Sequence, residues 1–291
     1  MFFPTIFLSK TKEERRMNEQ GRGFFSAIKE ALIGSSSCNA AALSDVGCVR
    51  DNNEDNFLLH GSINDSSSSH AHANADLSPD EWHCLGLFDG MGGIAGGEIA
   101  SKETAQVFRA SADQFPGKSP SEIQELTRQA FSKANEQINA ARSANKVGGT
   151  TATIALLRDK TLKLFHVGDS RAYLITRHSI QQLSEDQTLA QMEAQMNVKN
   201  IPEEDKHKLT CFVGMDSRYK MTIFETDLLQ VKSGNYLLLC SDGLSDLCTN
   251  KEIFKIVHAA ATPAAGAQAL VKQAKQNGGY DNVTVVLHQF H

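Results

Sequence analysis

The chain has 291 residues, 41% hydrophobic and 22% charged, and its 29 Lys and Arg against 34 Asp and Glu leave a net charge of −5. That composition excludes wholesale disorder and a nucleic-acid binder built on bulk positive charge, and no stretch reaches the ~20 apolar residues of a membrane-spanning helix. The 6 cysteines, at 38, 48, 84, 211, 240 and 248, include no CxxC pair; Cys84 and Cys240 sit in apolar runs, so a reducing, cytoplasmic setting is expected and a disulfide scaffold or zinc knuckle is not.

The opening MFFPTIFLSK is a poor secretory signal, because no basic residue precedes its apolar patch and Pro4 interrupts it. The run KEERR before Met17 points to translation beginning at Met17, with residues 1–16 an over-long start. Residues 24–33 (FFSAIKEALI) predict a short amphipathic helix ending at Gly34. Residues 1–39 are therefore a lead-in, and 40–291 the main domain. Residues 61–80 are polar and Ser-rich and read as a surface loop; the HxH pair His70 and His72 within it reads as solvated.

WHCLGLFDG predicts a buried strand ending in a turn. Helical periodicity covers 94–115 and 119–143, the second starting at a Ser119-Pro120 cap. GTTATIALL, TLKLFHVGD and RAYLITR predict three strands with short turns between them. Residues 187–208 read as a polar helix, NYLLLCSDG as another buried strand, 250–277 as two helices, and DNVTVVLHQF as a closing β-branched strand. Strands in runs with helix pairs between them favour an α+β layered sandwich over a doubly wound parallel sheet.

Acids stand where these strands begin or end. Glu54-Asp55 precedes NFLL, Asp89 follows LGLF, Asp242 follows LLLCS, and Asp281 precedes NVTVVL. A single Asp-Gly pair is an ordinary turn signal. Several carboxylates converging on one mouth of a sheet would repel one another, and hard divalent ions such as Mg²⁺ or Mn²⁺ are the natural neutralisers.

The series SDVGCVRDNNEDNF, LFDGMGGIAGGEIAS, GGTTATIALL, FHVGDSRAYLI, LSEDQTLAQ, LLLCSDGLSDLC and GGYDNVTVVL resembles, in order, the signature blocks of the protein phosphatase 2C family of metal-dependent Ser/Thr phosphatases, most closely its bacterial branch. The match runs from about Ala41 to His288. It implies a four-layer α-β-β-α sandwich, two mainly antiparallel sheets flanked by helix pairs. It also implies two Mn²⁺ or Mg²⁺ ions sharing Asp89, joined by the Gly90 carbonyl, Asp242 and Asp281, with Glu54 and Asp55 binding directly or through water. Asp169, with Asp242 or Asp246, would hold a third, weaker ion, and Arg50 would grip the substrate phosphate.

The implied reaction is hydrolysis of phosphoserine or phosphothreonine by a metal-bridging hydroxide, with no phosphoenzyme. Thr150 and Thr151 read as packing and backbone positioning. Two positions depart from a frequent family pattern: Met91 follows the Asp-Gly pair, and Gln187 stands in SEDQT, where His is common. The general acid for the leaving group is left open. Residues 187–222 align with the family's flap, expected to tune substrate choice. The expected partners are phosphorylated proteins and an opposing Ser/Thr kinase, with the chain a monomer and no nucleic acid bound. The alternatives are a phosphatase dedicated to one regulatory phosphoprotein and a catalytically weak binding relative.

Overall fold

The computed structural model describes residues 38–65, 69–92, 96–143, 148–196, 201–216 and 218–291. The lead-in helix at 24–33 and the Met17 start lie outside the described residues. In chain order the strands begin with β1 (Ala40–Asp45), β2 (Asn56–Leu59), β3 (Ser62–Ile63), β4 (His70–Ala75), β5 (His83–Phe88) and β6 (Gly90–Met91). They continue with β7 (Gly149–Thr150), β8 (Ala152–Arg158), β9 (Thr161–Val167), β10 (Arg171–Ile175) and β11 (Ile180–Gln182). The last four are β12 (Phe224–Glu225), β13 (Leu229–Gln230), β14 (Tyr236–Cys240) and β15 (Val283–Gln289). The helices are α1 (Gly97–Ala112), α2 (Pro120–Ser143), α3 (Leu189–Met196), α4 (Asp242–Ser245), α5 (Asn250–Ala259) and α6 (Pro263–Gln276).

One sheet runs β11-β10-β14-β15-β1-β4 and the other β12-β9-β8-β5-β2-β3, with β13 also on β9. Every pairing within them is antiparallel. Alternation along each strand sorts the side chains into layers. Val286 and Phe290 from the first sheet meet Leu85, Leu87 and Leu164 from the second in the inter-sheet core. The opposite face of β15, Val283, Val285 and Leu287, packs with Ile253 of α5 and Leu270 of α6. On the outer face of the second sheet Phe88 meets Phe108 of α1, whose ring stands edge-on to Phe131 of α2 at 4.8 Å. Three apolar layers between four structural layers make the expected α-β-β-α sandwich.

The helix starts follow their caps. Ser119 and Glu122 form a reciprocal pair before α2: the Ser119 N–H donates to Glu122 Oε2 at 2.8 Å, and the Glu122 N–H donates to Ser119 Oγ at 3.4 Å. Thr249 and Glu252 form a full capping box at α5, and Thr262 caps α6 with Pro263 in its first turn.

Two expectations are corrected. The 61–80 segment is not wholly loop: β4 pairs with β1 over six residues, Ala40↔Ala75 to Asp45↔His70, although its composition is polar. An edge strand needs only one covered side, and backbone pairing plus the bond of His70 Nδ1 to buried Asp45 (3.0 Å) holds it there. Within the helix expected over 187–208, the described residues form a helix at Leu189–Met196 and a 3₁₀ turn at Glu203–Asp205. Pro202, which cannot continue the backbone ladder, precedes that turn.

Candidate active site

Antiparallel pairing brings the acidic strand ends to one edge of the sandwich. Asn56 pairs with Phe88, so Asp55 at the entry to β2 lies beside Asp89 at the exit of β5. Cys240 pairs with Val285, so Asp242 after β14 lies beside Asp281 before β15. Asp169 occupies the turn between β9 and β10. Each acid sits where its strand stops, because a carboxylate inside either apolar layer would be costly.

Backbone and hydroxyl contacts hold the cluster from beneath. The Asp89 N–H donates to Thr151 Oγ1 (3.0 Å), and its carbonyl accepts from the Thr151 N–H (2.8 Å) and Thr150 Oγ1 (2.9 Å). Thr150 and Thr151 thus position backbone, as expected. Ser241 Oγ donates to Asp55 Oδ2 at 2.8 Å while accepting from the Thr284 N–H at 2.9 Å. Asn282 Oδ1 accepts the Glu54 N–H (2.8 Å), and its amide donates to the carbonyls of Val46 and Asn52. Gly90 lies against the carbonyls of Glu54 and Gly97, leaving no room for a Cβ.

The electrostatics of the acids are those of a crowd. Burial, then neighbouring carboxylates, push Asp55, Asp89 and Asp242 above the usual carboxylate range. Asp89 feels Asp55, Asp242, Asp169 and Asp281, so all five acids share one field. Asp169 is pushed up to about 7 by burial, then by Asp242, Asp186 and Asp246. Glu54 is raised by burial and by Glu98 in the first turn of α1. Arg50 is the nearby cation: its Nη2 donates to Asp281 Oδ2 at 2.7 Å.

Among the described residues no group of three or more His, Cys, Asp or Glu side chains already forms a coordination shell. Like charges avoid convergence unless a cation offsets them. The all-oxygen donor set, in which Asp55, Asp89, Asp169 and Asp242 are raised first by burial, fits hard divalent ions, whose charge would relieve the repulsion among them.

Some contributors were not apparent from motif spacing. Ser241, Asn282 and Glu98 each lie in or beside a motif that carries an acid, and that nearness was the only signal. Arg171 binds Asp186 through Nε and Nη2 (3.0 and 2.7 Å), bracing the turn that carries Asp169. Gln187 joins that turn to the far end of the 187–222 segment, since its Oε1 accepts the Gly168 N–H (2.9 Å) and its Nε2 donates to the Thr222 carbonyl (2.9 Å).

A family profile described as Protein phosphatase 2C matches residues 44–193. The Ser/Thr protein phosphatase PstP of Mycobacterium tuberculosis is 31% identical over 255 residues, 85% of this chain and 44% of that protein. The chain therefore spans under half the length of that relative. Protein phosphatase PhpP of Streptococcus pneumoniae is 30% identical, over 84% of this chain and 94% of its own. The crystal structure of the PstP catalytic domain with 2 manganese ions superposes with a TM-score of 0.68 at 30% identity, covering 86% of this chain and 96% of that one. With the sandwich and the strand-end acids in place, these likenesses show that the chain belongs to the protein phosphatase 2C family.

Proposed function

We propose that this chain is a metal-dependent phosphoprotein phosphatase acting on phosphoserine and phosphothreonine. The observation that carries the reading is the gathering of Asp55, Asp89, Asp242 and Asp281 from four strand ends at one edge, where the pairing of β2 with β5 and of β14 with β15 sets them. In this reading Asp89, the Gly90 carbonyl, Asp242 and Asp281 hold two Mn²⁺ or Mg²⁺ ions, with Glu54 and Asp55 at the flank. Asp169, with Asp242 or Asp246, takes a third, weaker one. Such ions, when bound, would lower the pKa of a water and so provide a nucleophile for phosphate hydrolysis.

The chain's own residues do the rest. Ser241 and Thr284 orient Asp55, the Thr150–Thr151 backbone fixes Asp89, and Arg50 exchanges Asp281 for two substrate phosphate oxygens. The flap contributes to substrate choice, and Thr210, Phe212, Met215, Arg218 and Tyr219 line a groove of about 540 Å³ there. Phosphorylated proteins are then the substrates and a Ser/Thr kinase the opposing enzyme, with the chain working as a cytoplasmic monomer. Among the described residues no helix is long and apolar enough to cross a membrane.

The test is Asp89→Asn and Asp242→Asn, assayed on a phosphopeptide with Mn²⁺. Turnover should fall about a thousandfold, equivalent to the several kcal/mol a Lewis acid provides, while circular dichroism stays native. Full turnover in either variant rejects the site. A wild-type chain that binds phosphoprotein without turning it over restores the reading of a binding relative.

A further inference from the structure

The large apolar side chains that solvent reaches among the described residues are Val49, Ile99, Tyr219, Leu228 and Tyr280. Scattered singly over a surface, such residues need no explanation. Two of them, Val49 at 63% and Tyr280 at 64% exposed, are the chain neighbours of Arg50 and Asp281, whose side chains meet at 2.7 Å.

Backbone contacts hold these two loops together. The Cys48 N–H donates to the Gly279 carbonyl at 2.7 Å, two residues before the Arg50–Asp281 pair on each loop. Gly47 presses on the same segment, since a Cβ there would collide with the Asp281 carbonyl oxygen. Val49 and Tyr280 therefore occupy matching places on adjoining loops, between the backbone bond and the ion pair. Tyr280 is also braced from within its own loop. Gly278 has φ +131°, and a Cβ on it would meet the Tyr280 ring at 2.5 Å, so the ring lies over glycine backbone with its remaining surface open to water. A tyrosine placed in this way offers a broad apolar contact at little ordering cost.

The charges on these loops do not call for an acidic partner beside the phosphate. Asp51 follows Arg50, and Lys275, whose carbonyl lies 3.8 Å from Cys48 Sγ, turns its ammonium to buried Asp45 at 2.8 and 2.9 Å. We propose, on the reading of this chain as a phosphatase with Arg50 gripping the phosphate, that Val49 and Tyr280 form an apolar rim for the substrate residue next to the phosphorylated one. Phosphoproteins with an aliphatic or aromatic side chain at that position are then the favoured substrates. One residue of an extended substrate advances ~3.3 Å, and Val49 and Tyr280 are likewise one residue from Arg50 and Asp281.

The experiment compares phosphothreonine peptides that carry Leu or the similarly shaped Asn immediately before or after the phosphorylated residue, with the Mn²⁺-saturated full chain. In wild type, kcat/KM should be roughly 10-fold higher for Leu than for Asn at one of these positions, the low end of what an apolar contact discriminates, and the difference should lie in KM. Tyr280→Phe should keep that ratio, whereas Tyr280→Ala and Val49→Ser should bring it toward one. Both residues are exposed, so these variants do not put folding at stake. Because Tyr280 adjoins Asp281, the ratio is the readout: a displaced Asp281 would slow both peptides alike. Equal kcat/KM for Leu and Asn at both positions, or a preference that survives Tyr280→Ala or Val49→Ser, overturns the proposal and leaves the phosphatase reading standing. A chain that turns over none of the peptides overturns both.

Discussion

Arg50 and Asp281 are both largely exposed, 54% and 38%, and an ion pair of that kind is worth at most ~1 kcal/mol. Stability therefore does not explain the contact. Arg50→Ala should leave the melting temperature nearly unchanged yet raise KM for phosphopeptide about 10- to 100-fold, the 1.5–3 kcal/mol of a charge-assisted bond; steady-state kinetics beside calorimetry checks both halves. His166 is the opposite case, wholly buried between Thr153 Oγ1 (2.9 Å) and the Gly168 carbonyl (3.0 Å). Burial lowers its pKa to about 4, below the ~6.5 of an unfolded chain. The unfolded state binds the proton first, so this stability is present above about pH 6.5 and is lost as pH falls toward 4. Its size is on the order of 3 kcal/mol. Urea midpoints at pH 7 and pH 4.5 should show a steeper loss for wild type than for His166→Gln.

Among elements, the short helix α4 shows how tightly backbone approaches backbone near the acids. A Cβ on Gly243 would collide with the Asn282 carbonyl oxygen, although Gly243 itself has an ordinary helical φ. Gly243→Ala should destabilise by roughly 1–3 kcal/mol and displace Asp242, lowering both melting temperature and turnover. Gln187 ties the proposed flap, residues 187–222, to the Asp169 turn. A chain carrying another family member's flap should change rates on phosphoprotein while sparing an aryl phosphate; equal effects on both would refute that role.

Across the molecule, a cation that binds only where the crowded acids are assembled stabilises the fold by mass action. Mn²⁺ at a hundredfold over its dissociation constant should add ~2.7 kcal/mol, read as a rise in melting temperature that EDTA reverses and Asp242→Asn lacks. Most strands were legible because their apolar runs are long and end in acids or glycines, and β15 with its VTVVL core is the clearest. His70–Ala75 was not read as a strand: its alternation, HAHANA, is carried by alanines alone inside a polar Ser-rich stretch, and its place depends on β1 and Asp45. The helix read over 187–208 reached too far because polar helical spacing persists to its end, whereas the described chain is in a 3₁₀ segment at Glu203–Asp205, just after Pro202. By itself, the order of residues determined the layer type and put carboxylates at the strand ends, since burial periodicity and strand-end charge are local properties. Only the tertiary structure decided which hydroxyls and amides brace those acids, and that the loops of Val49 and Tyr280 adjoin, because such contacts join segments far apart in the chain.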